Sequence, residues 1–288
     1  MTEDVSRIQI QTLAFSARTR ALTRLELTFV SHSWHRVPCR ILEFESTTCL
    51  PSSPTGHPRL RRFTSTARGG MVPGRSNTEV IGATKSIEEI AGGRNIDVLI
   101  ANAGGAPAKY SLSAQGHELG FAVNVLGHHV FVRRLAQSGA FARGRLVVLS
   151  AQIYPTATDC TSDFRFKGRV GSYMGYCRSK LGNLWFAREF AERYSDIEVY
   201  SMHPGVIASN ILAGEAPILS GLTRALLIDV VAGAQTPLFV ATQPGLQRGG
   251  YYHNKLGLVR MRPMDISLDA RKSSALWSRL EELAAAFL

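Results

Sequence analysis

Residues 97–104, with the sequence DVLIANAG, decide the fold of this chain. The segment Asp97–Ala101 is short and almost continuously apolar, which is typical of a strand that is buried on both faces. Small residues and a glycine follow at once, and they favour a tight turn in which another group can approach the backbone closely. The stretch therefore predicts an internal strand of a parallel sheet, followed by a loop.

The regular pattern continues on both sides of this strand. Gly92 and Gly93 are expected to end a helix that includes Ser86–Ile90. Further helices are predicted over about Ser113–Gln137 and over Tyr173–Tyr194, and further buried strands over Leu146–Leu149 and Glu198–Met202. Strands that alternate with helices predict an α/β fold with a parallel sheet and right-handed crossovers.

Tyr176 and Lys180 are four residues apart in the helix predicted over 173–194, so their side chains project from the same face. A free tyrosine has a pKa of about 10 and exchanges protons poorly at neutral pH. A lysine ammonium beside it stabilises the phenolate and is expected to lower that pKa. The pair suits proton transfer to or from an alcohol or carbonyl oxygen. On its own, the spacing also fits a solvated lysine beside a core tyrosine.

Several further motifs occur in an order that resembles the short-chain dehydrogenase/reductase family. They are Asn102-Ala103-Gly104, Asn124-Val125-Leu126-Gly127, Arg145–Ser150, His203–Ser209, Gly233–Thr236 and Gly250–Tyr252. Because residues 203–206 read HPGV and Asp163-Phe164 lies in an insert before Tyr176, the chain is most similar to the retinol-dehydrogenase-like branch. The resemblance implies a Rossmann-type doubly wound parallel sheet that is atypical over the first ~80 residues.

The resemblance also implies a site. The candidate catalytic residues are Tyr176, Lys180, Asn124 and Ser150. The candidate cofactor-binding residues are Asn102, Tyr176, Lys180, Ile207 and Ser209. In this scheme Tyr176 is the general acid and base, Lys180 lowers its pKa and binds the nicotinamide ribose, and Asn124 supports a proton relay to the lysine. The implied cofactor is NADP, with NAD as the alternative.

The implied reaction is NAD(P)-dependent interconversion of a small lipophilic alcohol and its ketone or aldehyde, in a secondary-metabolite or lipid pathway. Residues 210–227 are mainly apolar and contain two glycines, as expected of a lid over a lipophilic substrate. The alternative is a catalytically inactive binding or scaffold protein that has kept the sheet and lost the cofactor. Retention of Tyr176, Lys180 and Asn124 together argues for the enzyme.

One departure from the family pattern lies at Ala151, where the family has its catalytic serine. Loss of a donor to the reacting oxygen typically lowers the rate by about 10²–10³-fold. Ser150 and Gln152 are the neighbouring candidates for that donor, although adjacent residues of a strand point to opposite faces.

The second departure is the whole of residues 1–78, which contain no lysine and no glycine before Gly56. A strand is conceivable at Ile8–Phe15, but no glycine-rich phosphate-binding turn follows it. We therefore divide the chain into an atypical region, residues 1–78, and a catalytic portion, residues 79–288. An error of reading frame or exon assignment, a targeting segment and degeneration into a pseudoenzyme are the three explanations.

Composition favours some partners and disfavours others. The formal net charge is +11, but no dense run of basic residues with interleaved aromatics occurs, so nucleic-acid binding is not predicted. Cys39, Cys49, Cys160 and Cys177 have neither metal-ligand nor disulfide-framework spacing, which indicates reduced thiols and no metal site. No apolar run is long enough to span a membrane. A cytoplasmic protein is expected, and an oligomer is left open.

Overall fold

A computed structural model of the chain describes residues 26–27, 42–43, 76–107, 110–160, 171–206, 228 and 230–288. The two short pairs form an antiparallel ladder of β1 (Glu26–Leu27) and β2 (Leu42–Glu43). The predicted strand at Ile8–Phe15, the insert at Asp163-Phe164 and the lid at 210–227 lie outside the described residues.

A five-stranded sheet organises residues 98–259. Its strands are β3 (Val98–Ala101), β4 (Gly144–Leu149), β5 (Ile197–His203), β6 (Tyr251–His253) and β7 (Gly257–Val259). They are ordered β3-β4-β5-β6-β7, with β3 to β6 parallel and β7 antiparallel to β6. The predicted parallel α/β sheet is therefore confirmed, and the three predicted strands are present within two residues of their expected bounds.

Helices cover both faces of this sheet. They are α1 (Asn77–Ala91), α2 (Leu119–Phe121), α3 (Gly127–Gln137), α4 (Gly171–Arg193), α5 (Val230–Thr242) and α6 (Ala270–Ala284). Leu146 and Val148 of β4 pack in one core cluster with Phe190 of α4. Val147, which points the opposite way, packs with Val240 of α5. Helices on both faces are what a doubly wound sheet requires.

Both ends of helix α1 are set by capping residues that the sequence contains. The Ser76 side chain accepts a hydrogen bond from the Thr78 backbone N–H and caps the first turn. Gly92 ends the helix with φ of 56°, a left-handed conformation, and its N–H donates to the Glu88 and Glu89 carbonyls. The predicted stop at the paired glycines is confirmed.

The helix predicted from about Ser113 begins later, at Leu119. The buried carboxylate of Glu118 accepts hydrogen bonds from the backbone N–H groups of Gly120 and Phe121, at 2.8 and 2.7 Å, and so fixes the start. Beyond α2, a π-helical turn (Ala122–Leu126) leads into α3, which ends at Gln137 as predicted. The start was missed because glutamate is an unusual capping residue, and its role here depends on burial.

Helix α4 is the central helix of the described fold. It runs over Gly171–Arg193, within two residues of the predicted bounds. Leu181, Trp185 and Phe190 are completely buried on its inner side. An atom added to Gly182 as Cβ would lie 2.8 Å from Cys160 Sγ and 3.1 Å from Val125 Cγ2, so α4 packs tightly against the π-helical turn.

Candidate active site

The candidate site lies at the carboxyl edge of the parallel strands. Asn102 directly follows β3, Ser150 directly follows β4, and His203 and His253 are the last residues of β5 and β6. Because parallel strands end at one edge of the sheet, these four residues are brought to the same side of the molecule. Open α/β sheets bind their ligands at this edge.

Tyr176 and Lys180 share one face of α4, as their spacing predicted. The Lys180 Nζ atom lies 5.6 Å from the centre of the Tyr176 ring. The lysine is 7% exposed, and its Nζ donates a hydrogen bond to the Leu149 carbonyl at 3.3 Å. Helix α4 therefore carries its ammonium to the end of β4, beside the phenol.

The direction of the Tyr176 pKa differs from the sequence expectation. Burial, with a smaller contribution from Cys177, raises the pKa of Tyr176 to about 12. Burial also lowers the pKa of Lys180 to about 8. Desolvation disfavours the charged form of both groups, and it outweighs any stabilisation of the phenolate by the ammonium. A pKa of about 12 leaves the hydroxyl of Tyr176 protonated at neutral pH.

Asn124, in the π-helical turn, joins the loop after β3 to helix α4. Its Oδ1 accepts from the Gly105 N–H, and its Nδ2 donates to the Gly105 carbonyl, both at 3.0 Å. Nδ2 also donates to Ser179 Oγ at 2.8 Å, and that hydroxyl donates to the Tyr176 carbonyl. Asn124 is completely buried. These bonds position the turn of α4 that carries Tyr176, while a part for Asn124 in a proton relay stays a prediction.

Ser150 is buried, and its hydroxyl donates a 2.7 Å hydrogen bond to the Lys180 carbonyl. Its N–H donates to the Met202 carbonyl, which continues the ladder between β4 and β5. The side chain thus holds α4 against the end of β4. Ala151, which follows, is also buried and offers no polar atom. A catalytic role for Ser150 stays a prediction.

The remaining predicted cofactor-binding residues are placed only in part. Asn102 lies at the end of β3, where its N–H donates to the Ile100 carbonyl. Ile207 and Ser209 lie outside the described residues. The loop ahead of them turns at Gly205, whose φ is +97°, and a Cβ there would lie 2.5 Å from Asn254 Nδ2. Both the conformation and the space therefore require glycine at this point.

Sequence reasoning assigned no role to three histidines close to this edge, which are His128, His203 and His253. It named Gln152 only as a neighbouring candidate for the missing donor. Burial first and Lys180 second lower the pKa of His128 to about 3. Burial, His253 and Lys180, in that order, lower the pKa of His203 to about 4. The positions of the histidines at strand ends could have indicated them, but their contacts depend on the order of strands in the sheet.

Two features are absent from the described part of the chain. In that part of the chain, no helix combines the length and the apolar character that crossing a membrane demands. Nor do three or more His, Cys, Asp or Glu side chains come together there in a way that could hold a metal ion. Cys160 and Cys177 are buried free thiols.

Comparisons with known proteins agree with this architecture. The chain is 31% identical over 161 residues to human retinol dehydrogenase 14, and 33% identical over 210 residues to retinol dehydrogenase 12 of Mus musculus. These matches cover 53% and 68% of this chain, and 48% and 65% of the relatives. The chain thus spans about half to two thirds of the length of these relatives. No family model matches it.

Among solved structures, an uncharacterized protein from Mycobacterium paratuberculosis superposes with a TM-score of 0.57 at 23% identity, over 73% of each chain. This likeness supports the Rossmann-type fold. The similarity to these retinol dehydrogenases supports the resemblance to the short-chain dehydrogenase/reductase family and, within it, to the retinol-dehydrogenase-like branch.

Proposed function

We propose that this chain is a nicotinamide-dependent oxidoreductase that interconverts a lipophilic alcohol and its ketone or aldehyde. The observation that carries the proposal is the arrangement of Tyr176, Lys180 and Asn124 at the carboxyl edge of the sheet. A half-buried phenol with a buried amine beside it, the amine held by the Leu149 carbonyl, has a chemical use in proton transfer. As a purely structural arrangement it would be costly, because burial penalises the charged lysine.

The described residues fit the nicotinamide end of a dinucleotide. Within the described part of the chain, Lys180 Nζ donates to the Leu149 carbonyl alone, which leaves donor capacity for ribose hydroxyls. Gly104 lines the same space without a side chain, since a Cβ there would lie 2.9 Å from Asn124 Oδ1 and 3.6 Å from Lys180 Nζ. A bound nicotinamide supplies the hydride for reduction, or accepts it in oxidation.

In the direction of reduction, Tyr176 donates its hydroxyl proton to the substrate oxygen while the carbonyl carbon gains the hydride. The proton is then replaced from solvent, so one carbonyl, one hydride and one proton give one alcohol. A pKa of about 12 keeps Tyr176 protonated and ready to donate at neutral pH. In the direction of oxidation the phenolate of Tyr176 would accept the proton of the alcohol while the hydride leaves the carbon.

NADP is our proposed cofactor, on the strength of the branch resemblance, and a lipophilic alcohol is our proposed substrate class. The relatives are named for retinol, which is a long apolar alcohol. We also propose the division of the chain into an atypical region, residues 1–78, which stands in place of the usual glycine-rich portion, and a catalytic portion, residues 79–288. The competing function is a scaffold protein that binds no cofactor. The presence of Ala151 where the family has its catalytic serine favours this alternative.

The first test is titration of the purified chain with NADPH and with NADH, followed by energy transfer from tryptophan to the nicotinamide. Trp185 lies in α4, the helix that carries Tyr176, so a bound nicotinamide is expected to quench protein fluorescence. Saturable binding that is tighter for NADPH supports the proposal. A folded chain that binds neither would contradict it and would favour the scaffold.

Turnover is tested with retinaldehyde and NADPH in the wild type and in Tyr176→Phe. Loss of the general acid is expected to lower kcat by about 10³-fold, with little change in the dissociation constant for NADPH. Tyr173→Phe is the matched control, since it removes the same hydroxyl from an exposed position on the same helix. Equal activity of Tyr176→Phe and the wild type would rule out the proposed role.

A further inference from the structure

Gln152 and His253 form a side-chain pair that crosses the carboxyl end of β5. Gln152 lies three residues beyond the end of β4, and His253 is the last residue of β6, while β5 runs between these two strands. His253 Nε2 lies 3.2 Å from Gln152 Oε1, although 101 residues separate the two in sequence. The ring of His203, at the end of β5, lies 4.9 Å from the ring of His253.

The bonds of His253 fix the orientation of the Gln152 amide. The backbone N–H of Lys255 donates to His253 Nδ1 at 3.1 Å, so Nδ1 must be the unprotonated nitrogen. Burial, and then Lys255, lower the pKa of His253, so the ring is neutral at pH 7 and its proton lies on Nε2. Nε2 therefore donates, and it must meet the oxygen of the amide rather than its nitrogen.

This leaves the amide nitrogen of Gln152 as an oriented donor. Gln152 is exposed, and its NH₂ group makes no hydrogen bond to any residue that the structure describes. His253, by contrast, is 7% exposed and held at both ring nitrogens. An exposed amide that is anchored through its oxygen presents two N–H groups in a restricted direction.

The pair lies on the same side of the sheet as Tyr176 and Lys180. Tyr251 and His253 are two residues apart in β6 and so face the same way. Tyr251 packs in the core cluster that contains Leu181 of α4, which identifies that face. Lys180 is also near enough to His203 to contribute to the lowering of its pKa.

We propose that the carboxamide N–H of Gln152 donates a hydrogen bond to the reacting oxygen of the substrate, beside the hydroxyl of Tyr176, and that His253 is its positioning residue. This inference rests on the proposed oxidoreductase function. When a carbonyl receives hydride, negative charge grows on its oxygen, and an oriented neutral donor stabilises that charge. Tyr176 supplies the proton, whereas Gln152 keeps its own.

The test compares Gln152→Leu and Gln152→Glu with the wild type, in turnover of retinaldehyde with NADPH. Both variants lack the donor, and glutamate keeps the shape and an oxygen for His253. Both are expected to lower kcat by about 100-fold, as loss of one donor to a developing oxyanion does, without weakening NADPH binding. Gln137→Leu, at the exposed end of α3, is the matched control and should keep wild-type kcat.

The positioning role of His253 has its own comparison. His253→Phe should lower kcat with no change in the dissociation constant for NADPH, whereas His253→Gln, which retains an N–H donor, should recover part of the loss. In addition, ¹⁵N resonances of His253 in the wild type should show a protonated Nε2 and an unprotonated Nδ1 near neutral pH. The opposite tautomer would overturn the assignment of the amide.

The outcomes separate this inference from the proposed function. If the wild type turns over and both Gln152 variants match it, the donor role is wrong and the oxidoreductase stands. If the folded wild type neither binds NADPH nor turns over, the proposed function fails and this inference falls with it. Large losses of kcat in both Gln152 variants, with Gln137→Leu normal, support it.

Discussion

At the scale of single residues, Lys180 is a group whose charge is costly to bury. It is 7% exposed, and burial lowers its pKa to about 8 from the usual 10.5. In the proposed function, the charged amine in that position serves the site by lying beside the ribose and the phenol. Lys180 would thus lower the stability of the fold in return for its proposed role in catalysis.

Lys180→Met should therefore stabilise the chain at pH 7 while abolishing turnover. The shift in pKa corresponds to about 3 kcal/mol in the free energy of unfolding. Below pH 8, Lys180 is protonated in both the folded and the unfolded wild type, so the cost of burying its charge is fully present. Between pH 8 and 10.5 only the unfolded state keeps the proton, and the free energy of unfolding of the wild type rises. The advantage of the variant should shrink across that window.

Urea denaturation of both proteins at intervals from pH 7 to pH 10 measures this difference. Lys85→Met, at an exposed position of α1, is the matched control and should change stability by less than about 0.5 kcal/mol. A wild type more stable than Lys180→Met at pH 7 would show that Lys180 contributes favourable contacts that exceed its desolvation.

At the scale of elements, the contact between α4 and the π-helical turn sets the geometry of the site. The turn holds Asn124, and α4 holds Tyr176 and Lys180, so their separation depends on how closely the two elements approach. Gly182 makes the approach possible. Its Cβ position already lies within 3.1 Å of Val125 Cγ2 and nearer still to Cys160 Sγ.

Gly182→Ala is expected to destabilise the fold by about 1–3 kcal/mol, because the new methyl group overpacks the contact. Gly82→Ala in α1 is the matched control. Nothing lies within 4 Å of its Cβ position, so the better helix propensity of alanine should stabilise the protein by about 1 kcal/mol. Chemical denaturation should give opposite signs for the two variants, and equal signs would contradict the packing argument.

The elements also show what sequence could and could not predict. The three buried strands and α4 were predicted because continuous apolar runs and helical spacing depend only on neighbouring residues. The start of α2 was missed because Glu118 caps it from a buried position. The rise in the Tyr176 pKa was missed because burial is a property of the folded protein. The Gln152–His253 pair needs the strand order, which spacing does not contain.

At the scale of the whole molecule, the C-terminal helix is tied to the middle of the chain. Glu281 of α6 binds Arg133 of α3 through two parallel hydrogen bonds of 2.7 and 2.8 Å. His129 Nε2 lies 2.8 Å from the same carboxylate. Burial would raise the pKa of Glu281, but the contacts from Arg133 and His129 outweigh it and lower the pKa to about 2.

Glu281→Gln should therefore make the fold less stable at pH 7, and the difference should vanish in acid. The pKa of Glu281 is about 2 in the folded state and 4.5 in the unfolded state. The carboxylate therefore contributes to the free energy of unfolding above pH 4.5, and this contribution is lost as the pH falls towards 2. Urea denaturation at pH 7, 4 and 3 measures it. Glu282→Gln, in an exposed pair with Arg279, should have a small effect at every pH.

The site residues that the structure describes all lie between Asn102 and His253. The proposed acid–base chemistry would thus be encoded by one continuous stretch, which begins after α1. Phosphate binding in this class of fold belongs to the strands and turns ahead of that stretch. A recombination event just upstream of α1 would replace the segment that binds the phosphates of the cofactor. It would leave the residues proposed for proton transfer together on one unchanged segment. Cofactor preference and chemistry can therefore be inherited separately in such a lineage.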